Sequence, residues 1–359
     1  GEYRQLLDAI RAQRKSRPKP IMASGLCDGA TDMLCAALVE DVVGALPVLM
    51  LCAEEKECIS LRNTLSAFGI RALFYPARDL NFHNITASRE FEQSRLAVLL
   101  ALVRGEADVI LTTPDASLGY TVPPASLKES VITLSDKLEG GPALLAERLA
   151  AAGYSRTSLA EGAGQFALRG GILDVCMPSA ESDGNVRAVR IEFFGDEVDR
   201  IGFYDVTTQR VTESLGQSEV VLPPAREILP SPADLASVGK AISALRKKST
   251  DARVQAELDA ELGAIDAAIA SGAEVRFIDK YISLVYPEKV CLLDYFSSLS
   301  LCIFRSNAAV NERLKAWEWR SNQEVTAIVE SGLIAGKYAE FSAPVEKIET
   351  FKSARTTLL

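Results

Sequence analysis

The chain has 359 residues, 48% of them hydrophobic and 24% charged, which suits two or three folded domains with sizeable cores. A net charge of −9 argues against a sequence-independent grip on nucleic acid across the whole surface. A single histidine, His83, excludes histidine-based triads, histidine-rich metal sites and H-E-x-x-H chemistry within the chain, and its polar surroundings, "RDLNFHNITASRE", read as an ordinary loop.

The first twenty residues are charged and amphipathic, without an apolar h-region, and no apolar run is long enough to cross a bilayer. Neither a secretory signal nor a membrane partner is expected. Within this arm, "RAQRKSRPK" (11–19) could meet DNA phosphates, although a solvated basic arm is the simpler reading. The cysteines Cys27, Cys35, Cys52, Cys58, Cys176, Cys291 and Cys302 form no C-x-x-C pair and mostly sit in apolar segments, which points to reduced core thiols in a cytoplasmic protein. The chain begins with Gly and stops in "ARTTLL", which reads as a piece of something longer.

Residues 20–120 alternate short apolar runs with amphipathic helices. "KPIMASG" predicts a strand entering a turn, and Met33, Leu34, Ala37 and Leu38 carry helical spacing over 28–43. "LPVLMLCA" is a continuous apolar run, as in a strand covered on both faces. Then come a helix ending at Gly69, the strand "IRALFYP", a helix with Ser88 as N-cap and Gly105 as its stop, and the buried strand "ADVILTTP". This alternation implies a parallel sheet with right-handed crossovers. From 131 to 225, after a short helix over 142–152, period-2 alternation and Gly-rich turns predict antiparallel strands. Gly170 and Gly171 fit a tight bend, and Gly195 with Asp196 a hairpin turn. Beyond 230 the pattern turns helical again, with apolar "KVCLLDYF" and "LSLCIFRSN" and a last helix near 309–330.

Residues 24–31, "SGLCDGAT", fit the frame G-x-x-x-x-G-K-[ST] with Gly29 and Thr31 in place. Ser24 replaces the first glycine and Ala30 replaces the lysine. A phosphate loop works because backbone N–H groups wrap the phosphates while the lysine reaches the β and γ oxygens. Without that charge, and with Asp28 beside the turn, a working ATP site is not expected. In "RAVRIEFFGDEVDRI", alternation puts Val189, Ile191 and Phe193 on a core face and Arg190, Glu192 and Phe194 on the other. Asp174, Glu192, Asp196 and Glu197 lack an accompanying base or ligand set, so strand and turn roles are expected rather than catalysis, and no metal site is expected.

The stretch from "GYSRTSLAEGAGQFALRGGILDVCMP" through "RIEFFGDE" to "PPARE" resembles the second domain shared by the excision-repair protein UvrB and the bacterial transcription-repair coupling factor (Mfd). "REFEQSRLAVLLALVRGEADVILTTPDASLG" and "IDKYISLVYPEKVCLLDYF" resemble the flanking regions, the latter closer to the coupling factor. A short loop at 77–88 in place of UvrB's long hairpin, and the broken phosphate loop, favour the amino-terminal UvrB-like module of the coupling factor.

The resemblance implies an α/β fold: a degenerate P-loop (RecA/helicase-like) parallel-sheet domain with an inserted β-rich domain and a helical subdomain. The implied boundaries are 1–127, 128–225 and 226–359, the last part completing the first. It implies a second degenerate element, since the strand end matching an Asp-Glu magnesium site offers Arg305 and Ser306. It implies UvrA binding through Arg169, Arg190 and Phe194, with no catalytic residue and no cofactor in this chain. RNA polymerase and DNA would be partners of domains outside it, in a longer ATP-driven translocase. The competing implication is a UvrB-like DNA-dependent ATPase.

Overall fold

The structure is a computed structural model that describes residues 1–13, 19–42, 46–78, 89–178, 187–216 and 219–359. His83, Ser88, most of the loop 77–88 and positions 14–18 of the basic arm lie outside the described residues.

The strands in chain order are β1 (Val48–Leu51), β2 (Ala72–Tyr75), β3 (Val109–Thr112), β4 (Tyr120–Thr121), β5 (Ile132–Leu134), β6 (Ser155–Arg156), β7 (Gln165–Arg169), β8 (Ile172–Met177), β9 (Arg187–Phe194), β10 (Glu197–Tyr204), β11 (Val211–Ser214), β12 (Val220–Leu222), β13 (Val290–Cys291), β14 (Cys302–Phe304) and β15 (Thr357–Leu358). A parallel sheet runs β15-β14-β1-β3-β2. β1 shows why: all four side chains are buried, and the alternation sends them to different cores. Val48 and Met50 join Leu7, Ile10, Leu38, Leu61 and Leu65 from the helices Glu2–Gln13, Asp28–Val42 and Glu55–Ala67. Leu49 and Leu51 join Leu96 and Leu99 of helix Arg89–Arg104 and Val238, Ile242 and Ile265 of the hairpin formed by helices Pro232–Lys248 and Ala252–Ser271. Each fully buried aliphatic side chain contributes about 1.5–3 kcal/mol relative to exposure. The segment after residue 226 thus supplies β14 and β15 to the sheet begun by the first hundred residues.

The strand expected in "KPIMASG" is reduced to a parallel edge bridge, Ile21 to Leu358, closed by hydrogen bonds from Ile21 N to Thr357 O and from Ala23 N to Leu359 O. Pro20 and the turn at Gly25 (φ +81°) leave room for nothing longer. "KVCLLDYF" yields only β13 before a 3₁₀ turn, because Asp294 accepts from Cys291 N and tightens the chain there.

A second sheet runs β11-β10-β9-β8-β7-β6. It is antiparallel except for β6, which pairs parallel to β7. The β7–β8 turn is Gly170 (φ +61°) and Gly171, where a Cβ would sit 2.9 Å from Phe193 O. The β9–β10 turn uses Gly195 at φ +64°. One face packs Phe166, Leu173, Val175, Val189, Ile191 and Ile201 against helix Gly141–Ala151 and the β5–β12 pair. The other face holds a smaller cluster of Ala160, Ala167, Cys176, Ala188 and Tyr204. Six of the cysteines are buried and unpaired while Cys27 is exposed. Burial pushes the Cys176 thiol up to about 11.

Candidate functional site

The small-cluster face of the second sheet continues toward the β7–β8 and β9–β10 turns as a polar and then apolar surface. Register places Asp174 opposite Arg190, Ile172 opposite both Arg169 and Glu192, and Phe194 at the end of β9. Asp174 is fully buried on this face. Its Oδ1 accepts from Arg190 Nε at 2.7 Å, and its Oδ2 accepts from Arg190 Nη2 at 3.0 Å and Arg169 Nη2 at 2.6 Å. Arg190 also donates to the Gln209 carbonyl and side-chain Oε1, both at 3.0 Å, and lies over the Tyr204 ring at 4.6 Å from its centroid. The hydrogen bonds to Asp174 hold the Arg190 guanidinium above its ordinary pKa. Phe194 is 84% exposed and Ile172 38%. An aromatic that open to solvent, on the same face as a second exposed apolar side chain and an arginine frame, contributes little to the chain's own core and makes this face a candidate contact surface.

The structure brings Arg169, Arg190 and Phe194 onto one face, but not as equals. Arg190 is not a solvated arm: it is part of a half-buried ion-paired frame, with only 14% of its side chain exposed against 45% for Arg169. Removing the Arg190 side chain would leave buried Asp174 with Arg169 alone of its two arginine partners. Sequence reasoning missed the anchors Asp174 and Gln209. Asp174 was legible in principle, since period-2 pairing of "RGGILD" with "RAVRIE" sets it across from Arg190; Gln209 reaches Arg190 from a loop and carries no such signal.

The 24–31 stretch and the end of β14 also lie close together. Ser24 is exposed in the turn that leads into helix Asp28–Val42, and exposed Gly29 with Ala30 and Thr31 lies in the helix's first turn, Thr31 Oγ1 donating to Cys27 O. Arg305, at the end of β14, reaches Asp32 Oδ1 at 3.2 Å and Glu57 Oε1 at 4.0 Å. Ser306 does not face this cleft as a ligand; its side chain caps helix Asn307–Glu330 by accepting from Ala309 N. Next to it, Arg313 clamps Asp115 through two nitrogens and donates to Ala53 O at 2.9 Å. The carboxyl edge of a parallel sheet is the usual ligand crevice of open α/β folds. Here two arginines occupy it, each already engaged by carboxylates of the chain. Among the described residues no cluster of three or more His, Cys, Asp or Glu side chains could hold a metal ion.

A third charged cluster joins the sheet units. Glu227, fully buried, pairs with Arg95 (Nη2 at 2.9 Å) and Arg78 (Nη2 at 2.7 Å) and accepts a short hydrogen bond from Thr121 Oγ1. Burial pushes its carboxyl up, but Arg78 and Arg95 outweigh that and bring it down to about 2. Neighbouring Arg226 pairs with Glu92 and Glu274, and Gln93 Nε2 donates to Ala163 O at 3.0 Å.

Comparison with known proteins agrees with this geometry. Residues 132–227 match the UvrB interaction domain, a span that ends at Glu227. The chain is 28% identical over 270 residues to the transcription-repair-coupling factor of Bacillus subtilis, covering 73% of this chain and 22% of that protein. It is 29% identical over 241 residues to the coupling factor of Myxococcus xanthus, covering 63% of this chain and 19% of that one. It is 28% identical over 186 residues to the UvrABC system protein B of Legionella pneumophila, covering 52% and 27% respectively. The chain therefore spans about a fifth to a quarter of the length of these relatives. Residues 132–227 carry a UvrB interaction domain, in a chain related over most of its length to the transcription-repair-coupling factors.

Proposed function

We propose that this chain is the recruitment module of a transcription-coupled DNA repair factor, and that its six-stranded sheet docks UvrA through the face carrying Arg169, Arg190 and Phe194. The observation that carries the reading is Phe194, 84% exposed at the end of β9 within the matched UvrB interaction domain and beside a frame built on a buried carboxylate. Purified UvrA should be retained by the immobilised chain and lost with Phe194→Ala, whose thermal midpoint should stay at the wild-type value because the side chain adds little to the core. Retention of UvrA by Phe194→Ala at wild-type strength would remove the face from the proposal.

The α/β part is read as a degenerate P-loop, RecA/helicase-like body without an ATPase of its own. Support comes from Ala30 in the lysine position and from Arg305, whose charge faces Asp32 and Glu57 where a nucleotide site would need carboxylates free for Mg²⁺. ATP and Mg²⁺ titrated into the chain should give no saturable heat up to millimolar nucleotide. Micromolar magnesium-dependent binding would instead favour the second reading, a UvrB-like DNA-dependent ATPase, which the 52% coverage by UvrABC system protein B keeps in view. The longer protein is read as a cytoplasmic, ATP-driven translocase that displaces stalled RNA polymerase, with polymerase and DNA contacts outside this chain.

A further inference from the structure

We propose that the docking face touches its partner through Arg169, Ile172 and Phe194, and that Arg190 is a positioning residue that acts through Asp174 without touching the partner. The partner surface these three side chains fit is an apolar recess bordered by a carboxylate. The inference rests on the docking reading above and assigns the chemistry of that same site.

The division follows from counting donors. A guanidinium has five N–H groups. Arg190 directs four of its N–H bonds inward, to the two Asp174 oxygens and to Gln209 Oε1 and O, and its plane lies against the Tyr204 ring. Gln209 holds its end of this bracket at φ +60°, a left-handed conformation uncommon for a non-glycine residue. Arg169 is different. Among the described residues only its Nη2 is engaged, on Asp174 Oδ2, and nearly half its side chain is open to solvent. Asp174 is thus a hub: Arg190 fixes its carboxylate from one side, and the carboxylate fixes Arg169 from the other.

Ile172 enters by register. It lies directly across from Arg169 at the end of the β7–β8 hairpin and directly across from Glu192 on β9, with Phe194 two residues further along the same face. Diagonal neighbours on one sheet face are roughly 7–8 Å apart, so Ile172 and Phe194 can flank one inserted group. Nothing lies within 4 Å of the Cβ positions of Gly170 or Gly195, so both turns are open at those points. An apolar pair beside the outward N–H groups of an arginine selects an apolar group with a carboxylate next to it. At the turn end of the adjoining hairpin exposed Asp196, Glu197 and Asp199 outnumber the exposed cation there, Arg200 across from Glu192, and this acidic excess disfavours a nucleic-acid backbone at the same place.

The test is a double-mutant cycle read as affinity for purified UvrA, with the whole chain and with Arg169→Gln, Arg190→Gln, the double variant and Ile172→Ala. Arg169→Gln and Arg190→Gln should each weaken binding about tenfold, and the double variant should bind no more weakly than Arg169→Gln alone, within about twofold. Arg169→Gln should also flatten the salt dependence of the affinity while keeping the wild-type thermal midpoint. Ile172→Ala should weaken binding about fivefold at an unchanged midpoint. Multiplied losses near a hundredfold in the double variant would show that Arg190 makes its own contact and overturn the inference, as would wild-type binding by Arg190→Gln or Ile172→Ala. Failure of the wild-type chain to bind UvrA would show first and would bring down the docking reading together with this one.

Discussion

Replacing Glu227 by Ala is expected to destabilise the protein by about 3–5 kcal/mol, seen as a lower urea midpoint. The side chain is fully buried, Arg95 is 1% exposed and Arg78 14% on their side chains, and removing the carboxylate takes away the anion that both cations contact directly. Arg95 retains a bond to Pro76 O at 3.0 Å and the Tyr75 ring at 4.3 Å, which compensates for little of the lost charge. The effect should reach both sheets. Glu227 closes the matched domain, Arg95 lies in the helix under the parallel sheet, and Arg226 and Gln93 bind across the same seam. The pH dependence has a definite sign. Because the folded-state carboxyl is held at about 2 against an ordinary 4.5, its contribution of roughly 3 kcal/mol is fully present above pH 4.5 and is lost as pH falls toward 2. Glu227→Gln should remove that pH dependence. A variant whose stability still fell equally steeply between pH 4.5 and 2 would place the acid sensitivity elsewhere.

The second large effect is at Asp174. Asp174→Ala should lower stability by about 2–3 kcal/mol, less than Glu227→Ala, because Arg169 can turn to solvent once released while Arg190 cannot. Asp174→Asn keeps a hydrogen-bond acceptor and should recover part of the stability. Docking should recover less than stability does, since a neutral amide no longer pins Arg169. Thermal midpoints and UvrA affinity measured on the same two variants separate these effects; equal recovery of both in Asp174→Asn would argue that the carboxylate serves the fold alone.

Much of this was readable from residues alone, for reasons particular elements make plain. β1 and β3 announce themselves because a strand covered on both faces needs its side chains apolar or internally satisfied: "VLML" is wholly apolar, and in "VILT" the one polar side chain, Thr112, donates its hydroxyl to Tyr75 O. The β9 alternation assigned Val189 and Ile191 to the core and Phe194 to the surface, because a pleat offers only two directions. The turns at Gly170 and Gly195 follow from backbone angles that side chains resist. What remained hidden depends on distance in sequence. The partners of Glu227 stand more than a hundred residues away in Arg95 and Thr121, and the glutamate entered the sequence reading only as part of "PPARE". Likewise the resemblance singled out Arg305, but not that Asp32 and Glu57 would engage it, because that pairing needs the sheet order. Arg190 lies on the face that alternation assigns it, but alternation gives only the face a side chain points to, not whether a carboxylate waits there.

The most direct test of the account is the hydrogen-exchange footprint of UvrA on the intact chain. The account predicts slowed exchange confined to the ends of β7, β8 and β9 with the Gly170 and Gly195 turns, and none at the 24–31 turn or at Arg305 and Arg313. Protection centred on that carboxyl edge of the parallel sheet, with residues 169–172 and 190–195 exchanging as in the free chain, would contradict it.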